Sequence, residues 1–131
     1  MCIRDRGFVV RRSTLDGEVE GLREGERESV LRTITGARVT PQGSIDLHGL
    51  TGLEAERTLA RFVRERHARG DRIVLVVHGK GLHSDGGVGV LEDHVLKCLT
   101  EGGAAACVRA FVTAPERFGG RGALIVRLVE R

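Results

Sequence analysis

Flat side chains are almost absent: the 131-residue chain has no Trp, no Tyr and only four Phe, at positions 8, 62, 111 and 118. So few aromatic faces cannot form the stacking row on which single-stranded nucleic acid is held, and any grip on nucleic acid must go through backbone and shape. Cysteine is scarce too. Cys2, Cys98 and Cys107 form no C-x-x-C pair, and their odd number argues against a secreted disulfide framework. A reducing cytoplasm is the expected compartment. Long apolar runs are missing as well: the longest purely aliphatic stretch is Ile73–Val77, far short of a signal-peptide core or a membrane span, so neither export nor membrane contact is expected.

What is present suits a single core. Hydrophobic residues make up 40% of the chain and charged residues 30%, a balance that fits one domain. The 21 basic and 18 acidic side chains leave a net charge of +3 with His neutral, which by itself names no partner. Charge placement has to decide.

The turn formers Pro41-Gln42-Gly43-Ser44 divide the chain. Residues 1–44 pattern weakly, with a short β-like Phe8-Val9-Val10 and one or two helical turns within 26–34, and are expected to form a loosely packed extension whose first six residues are unstructured. From residue 45 the pattern sharpens into one domain, 45–131. Residues 45–48 alternate like a strand. Thr51 then reads as a helix N-cap, with Glu54 completing a capping box and Leu50 as the hydrophobic staple. Ala55, Leu59, Phe62 and Val63 make one apolar stripe, Arg57, Arg61 and Arg64 face water, and Gly70 stops the helix. Ile73–Val77, apolar on both faces, reads as a central parallel strand. A glycine-rich loop, 78–89, leads to a second helix carrying Leu91, Val95 and Leu99 inward, and residues 108–114 and 123–129 supply two more strands. The order βαβαββ predicts an α/β two-layer sandwich with a mixed four-stranded sheet.

In such a sheet ligands bind beyond the carboxyl ends of parallel strands, where helix N-termini and loops converge. Two segments stand there. Asp46 and His48 share a face by the period of two, and His78-Gly79-Lys80-Gly81 follows the next parallel strand. If the strands are neighbours, both imidazoles reach one phosphate. A single His after a strand is most often a cap or turn residue, but two, each followed by Gly at a strand's carboxyl end, point to phosphodiester cleavage. One imidazole takes a proton from the attacking hydroxyl and the other protonates the leaving oxygen; Asp46 fixes the tautomer of His48; Lys80 and backbone N–H groups of Gly49, Gly79 and Gly81 neutralise phosphate charge. With RNA the substrate's own 2′-hydroxyl attacks and no cofactor is required; with DNA, water and a divalent cation are expected. The loop Gly119-Gly120-Arg121-Gly122, with Arg117, adds two cations for a substrate backbone. His67 and His94 read as ordinary surface residues, and His83 as either a third contact or an exposed loop residue.

Other motifs fail. Gly79-Lys80-Gly81 lacks both the Ser/Thr after Lys and the earlier Gly of a Walker A loop. Gly87-Val88-Gly89 meets Glu92 where a dinucleotide fingerprint needs its third Gly. Asp46, His48, His78 and His83 can be drawn as a metal cluster, but no pair has helical i, i+4 spacing and no C-x-x-C anchors it, so no metal site is assigned.

Ile45-Asp46-Leu47-His48-Gly49-Leu50-Thr51, Val77-His78-Gly79-Lys80-Gly81 and Gly119-Gly120-Arg121-Gly122-Ala123, in this order and spacing, resemble the Smr (small MutS-related) domain, stand-alone bacterial type. The resemblance covers 45–131. It implies an endonuclease that nicks DNA or cuts RNA, with RNA, branched or duplex DNA and the ribosome as partners, and it lays the family's D-x-H element on Asp46 and His48, its H-G-K/R-G element on His78 to Gly81, and its glycine loop on Gly119, Gly120 and Gly122. Ile45 replaces the usual Leu at equal volume. The rivals are a non-catalytic nucleic-acid or ribosome-binding module on the same fold and a hydrolase of small phosphate esters.

Overall fold

Period-two alternation sorts the strands' side chains onto two faces, and helices cover both. The chain, described here by a computed structural model over residues 2–5, 7–79 and 90–130, runs β1 (Cys2–Asp5), β2 (Phe8–Arg12), β3 (Val19–Arg23), α1 (Ser29–Thr35), β4 (Gly43–Asp46), α2 (Gly52–Ala68), β5 (Ile73–Val77), α3 (Val90–Thr100), β6 (Val108–Thr113) and β7 (Ala123–Leu128). The strands form one mixed sheet in the order β1-β2-β3-β6-β7-β5-β4. Every neighbouring pair is antiparallel except β4 and β5, whose parallel register sets Asp46 opposite Val77. Val74, Val76, Leu124, Val126 and Leu128 point to the face covered by α2 and α3, where they meet Leu59, Val63, Val95 and Leu99. Ala110, Val112, Ala123 and Ile125 point to the other face, under Val30, Leu31 and Ile34 of α1.

The mixed α/β class and the βαβαββ order of residues 43–128 are as expected; the sheet has seven strands rather than four. The extra three come from the N-terminal segment. That segment is not a loosely packed extension: β3 pairs with β6, Phe8 and Val19 join the main core, and Ile34 is 1% exposed. Even Cys2–Asp5, expected to be unstructured, pairs with β2. The reason is physical. β2 and β3 are short and end in charges, so their alternation is faint, yet each strand needs only one or two inward residues once a sheet edge is available to complete its hydrogen bonds. β5 also departs slightly from a strand buried on both faces, since Ile73, Leu75 and Val77 are only half-buried. Among the described residues no helix is long and apolar enough to cross a membrane.

Candidate active site

Parallel pairing of β4 with β5 brings two strand ends to one edge. Leu47 N–H donates to Val77 O at 2.7 Å, which carries the pairing one residue past β4. The chain then reverses through Leu50 N–H to Leu47 O, with Gly49 at φ 86° supplying a left-handed turn that other residues rarely adopt. Thr51 and Glu54 form the expected capping box, so α2 starts immediately behind the strand. This sharp exit leaves Asp46 and His48 at the surface, with side chains 54% and 71% exposed.

The two make a tight local unit. Asp46 Oδ1 accepts from the His48 backbone N–H at 3.0 Å and from Nδ1 at 2.7 Å. An ionised carboxylate only accepts, so Nδ1 carries a proton, and in the neutral form of the ring the lone pair is on Nε2. The His48 side-chain hydrogen bond, then the backbone one, holds the Asp46 carboxyl below its ordinary pKa.

His78 behaves differently. The expectation that both imidazoles meet at the surface is corrected: the His78 side chain is 2% exposed. Its Nδ1 lies 2.8 Å from Gly79 O, and its Nε2 lies 3.7 Å from Oε2 of Glu92, which is itself 3% exposed. Burial, the largest influence, lowers the His78 pKa; the Gly79 bond and the Glu92 charge oppose this, and Arg121 and Arg12 add to it. The side chain turns inward because β5 enters the loop with one more residue of strand alternation, which sends position 78 to the same face as Val74 and Val76. It turns toward α3, and the surface edge is left to the backbone of Gly79.

The glycines do come together. Gly79, at φ 84°, lies so close to His48 that a Cβ there would stand 3.3 Å from the His48 Cβ. The backbone N–H groups of His78 and Gly79 both donate to Gly122 O, at 2.8 and 3.0 Å, which fastens the glycine loop to the end of β5. Gly119 and Gly120 take φ 117° and 54° in the tight path before β7. The two arginines of this loop diverge. Arg117 is exposed, lies over the Phe118 ring and donates to Val39 O, whereas Arg121 donates to Asp16 O in the turn between β2 and β3. Lys80, Gly81 and His83 lie outside the described residues.

Sequence reasoning missed Glu92 and Arg12. Glu92 reads as an ordinary acidic residue in a helix's first turn, and Arg12 as one of many charges in a weakly patterned segment; no local signal shows that the fold buries the first and sends the second to it at 2.8 Å. His94, expected as an ordinary surface residue, is partly exposed but also links α3 to α2, its Nδ1 lying 2.6 Å from Glu56 Oε2. Among the described residues no group of three His, Cys, Asp or Glu could hold a metal ion.

The chain is thus a mixed α/β protein that carries a carboxylate–histidine pair at the end of a parallel strand, beside a glycine backbone. The Smr domain model matches residues 45–129, and the chain belongs to the Smr domain family. Over 114 residues it is 31% identical to the "Probable DNA endonuclease SmrA" of Escherichia coli, covering 87% of this chain and 59% of that protein. Over 111 residues it is 29% identical to the "Ribosome rescue factor SmrB" of Pectobacterium carotovorum, covering 85% and 57%. The chain thus spans less than two thirds of these relatives. Its structure is similar to that of YdaL, a stand-alone small MutS-related protein from Escherichia coli, with TM-score 0.72 and 31% identity over 85% of this chain and 82% of that one. It also resembles the Smr domain of Thermus thermophilus MutS2, with TM-score 0.57 and 30% identity over 66% of this chain and 98% of that one.

Proposed function

We propose that this chain cleaves nucleic acid as an Smr-type endonuclease, acting on RNA or structured DNA at the edge formed by the ends of β4 and β5. The observation that carries the reading is the exposed Asp46–His48 pair at 2.7 Å, set against the Gly79 backbone. Asp46 orients His48, so Nε2 is free to accept the proton of an attacking hydroxyl. On RNA that hydroxyl is the adjacent 2′-OH: its oxygen bonds to phosphorus, the 5′-oxygen leaves, and the products are a 2′,3′-cyclic phosphate and a 5′-OH. Lys80, with the backbone N–H groups of Gly49 and Gly81, offsets the charge gathering on the phosphate. Arg117 and Gly119, both exposed, offer further contacts to the substrate backbone, whereas Arg121, Gly120 and Gly122, turned into the fold, keep only a supporting part. His78 is given no direct proton transfer here; its burial makes it a support for the Gly79 turn, and the leaving oxygen takes its proton from water or from protonated His48. Relatives named "Probable DNA endonuclease SmrA" and "Ribosome rescue factor SmrB" support nucleic acid and the ribosome as partners.

The burial of His78 favours one rival, a nucleic-acid or ribosome-binding module without catalysis, because it takes that imidazole away from the surface. Purified wild type, His48→Ala and Asp46→Ala, incubated with RNA, duplex and branched DNA, with and without chelator, separate the two. Cleavage by wild type alone, leaving a cyclic phosphate end in chelator on RNA, is expected, with the variants losing on the order of 10²–10⁴-fold in rate while still binding. Equal activity of His48→Ala and wild type, or no cleavage by either, rejects the catalytic reading.

A further inference from the structure

The turn joining β2 to β3 lies outside the family-matched residues 45–129, yet it touches both supports of the site. Arg12, at the end of β2, donates through Nη1 to Gly17 O at 2.6 Å, and through Nη2 to Glu92 Oε1 at 2.8 Å. Across the same turn, Asp16 O accepts from Arg121 of the glycine loop at 2.8 Å. The packing there is close: Gly17 has φ 75°, and a Cβ on it would overlap the Arg121 guanidinium. One short turn therefore holds the cation that reaches Glu92 and the cation that anchors the loop bonded to His78 and Gly79.

We infer that Arg12 is a positioning residue for this site, and that the β2–β3 turn works through it by neutralising buried Glu92 and so holding His78 and the Gly79 turn in register with His48. A carboxylate 3% exposed needs a partner, since an unpaired buried charge is strongly destabilising. Arg12 supplies that partner from 80 residues away. The other oxygen of Glu92 and His78 Nε2 face each other at 3.7 Å, and neither has another hydrogen-bond partner among the described residues. With Nδ1–H given to Gly79 O, a neutral His78 turns a lone pair toward that carboxylate. The arrangement is stable only while a cation draws the negative charge to the far oxygen. Without Arg12, His78 is expected to take up a proton and pull toward Glu92, dragging Gly79, which shares its peptide and its contact with Gly122 O. Among the described residues the charged groups facing His78 are Glu92, Arg12 and Arg121, and Arg121 is held by the same turn.

This inference rests on the site being catalytic, but it has a readout that does not. Arg12→Ala, Arg12→Lys, Glu92→Gln and the double variant Arg12→Ala/Glu92→Gln are compared by cleavage kinetics and by NMR titration of the His78 ring. Arg12→Ala is expected to raise the His78 pKa above the wild-type value and to lower kcat on the order of 10²-fold, as a misplacement near 1 Å does, with KM within about twofold. Arg12→Lys restores part of both. Adding Glu92→Gln to Arg12→Ala returns the His78 titration toward wild type, because the uncompensated charge is gone. If Arg12→Ala does not fold, Arg12→Lys decides, with a His78 pKa above wild type expected that Glu92→Gln, added to it, abolishes. A His78 titration unmoved by these variants overturns the inference. Should wild type cleave nothing, the catalytic reading fails and the titration still decides whether Arg12 controls His78.

Discussion

At the residue scale, the proposed chemistry turns on Asp46. Its lowered pKa means that the carboxylate takes up its proton at a lower pH than an ordinary Asp does. The sign follows: any stability it lends is present above the unfolded value of about 3.9 and is lost only as pH falls through the lower folded value. Since the side chain is 54% exposed, solvent screens the pair and that contribution is small. Asp46→Asn is therefore expected to leave the melting temperature nearly unchanged while lowering cleavage on the order of 10²-fold, because the amide can present either a donor or an acceptor to Nδ1 and no longer enforces one tautomer. Thermal melts beside initial cleavage rates check both halves; a large drop in melting temperature would assign Asp46 a structural role instead. This residue pair was readable in the sequence, since two positions of a strand end share a face by period alone.

At the element scale, the β5-to-loop junction is where backbone conformation meets the site. Gly79 combines φ 84° with a close approach to His48, so Gly79→Ala is expected to cost about 1–2 kcal/mol from the left-handed backbone alone and to push His48 away from its place. Gly36→Ala is the matching control, because Gly36 has φ −71° and open space around it. Urea unfolding should show a loss of stability for the first and no loss for the second. A Gly79→Ala variant as stable as wild type would contradict the strain argument. The helices and strands of residues 43–128 were legible because their apolar periods are long and their caps explicit, Thr51 and Glu54 above all. The inward turn of His78 was not. A histidine one residue beyond a strand can face water or core, and only the helix packed on that side of the sheet, with Glu92 waiting on it, decides which.

At the scale of the whole molecule, the N-terminal segment and the family-matched region share one core. Phe8 is fully buried and lies 6.4 Å from the Phe111 ring, while a side chain at Gly21 would overlap that same ring. Phe8→Ala is expected to lower the unfolding free energy of the entire chain by about 3–5 kcal/mol in a single cooperative transition, measured by urea denaturation followed through a probe in α2 or α3. A loss below about 1 kcal/mol, or a separate early transition, would mean that β1, β2 and β3 come away on their own. Amino-acid order alone determined the βαβαββ pattern, the Asp46–His48 pair and the glycine turns, because each depends on neighbours a few residues apart. Only tertiary structure decided that three further strands join the sheet, that His78 is buried and that Arg12 answers Glu92. Those outcomes depend on which surfaces meet far apart in the chain, Arg12 on Glu92 across 80 residues and His78 on the helix beyond its loop, where desolvation outweighs any local preference.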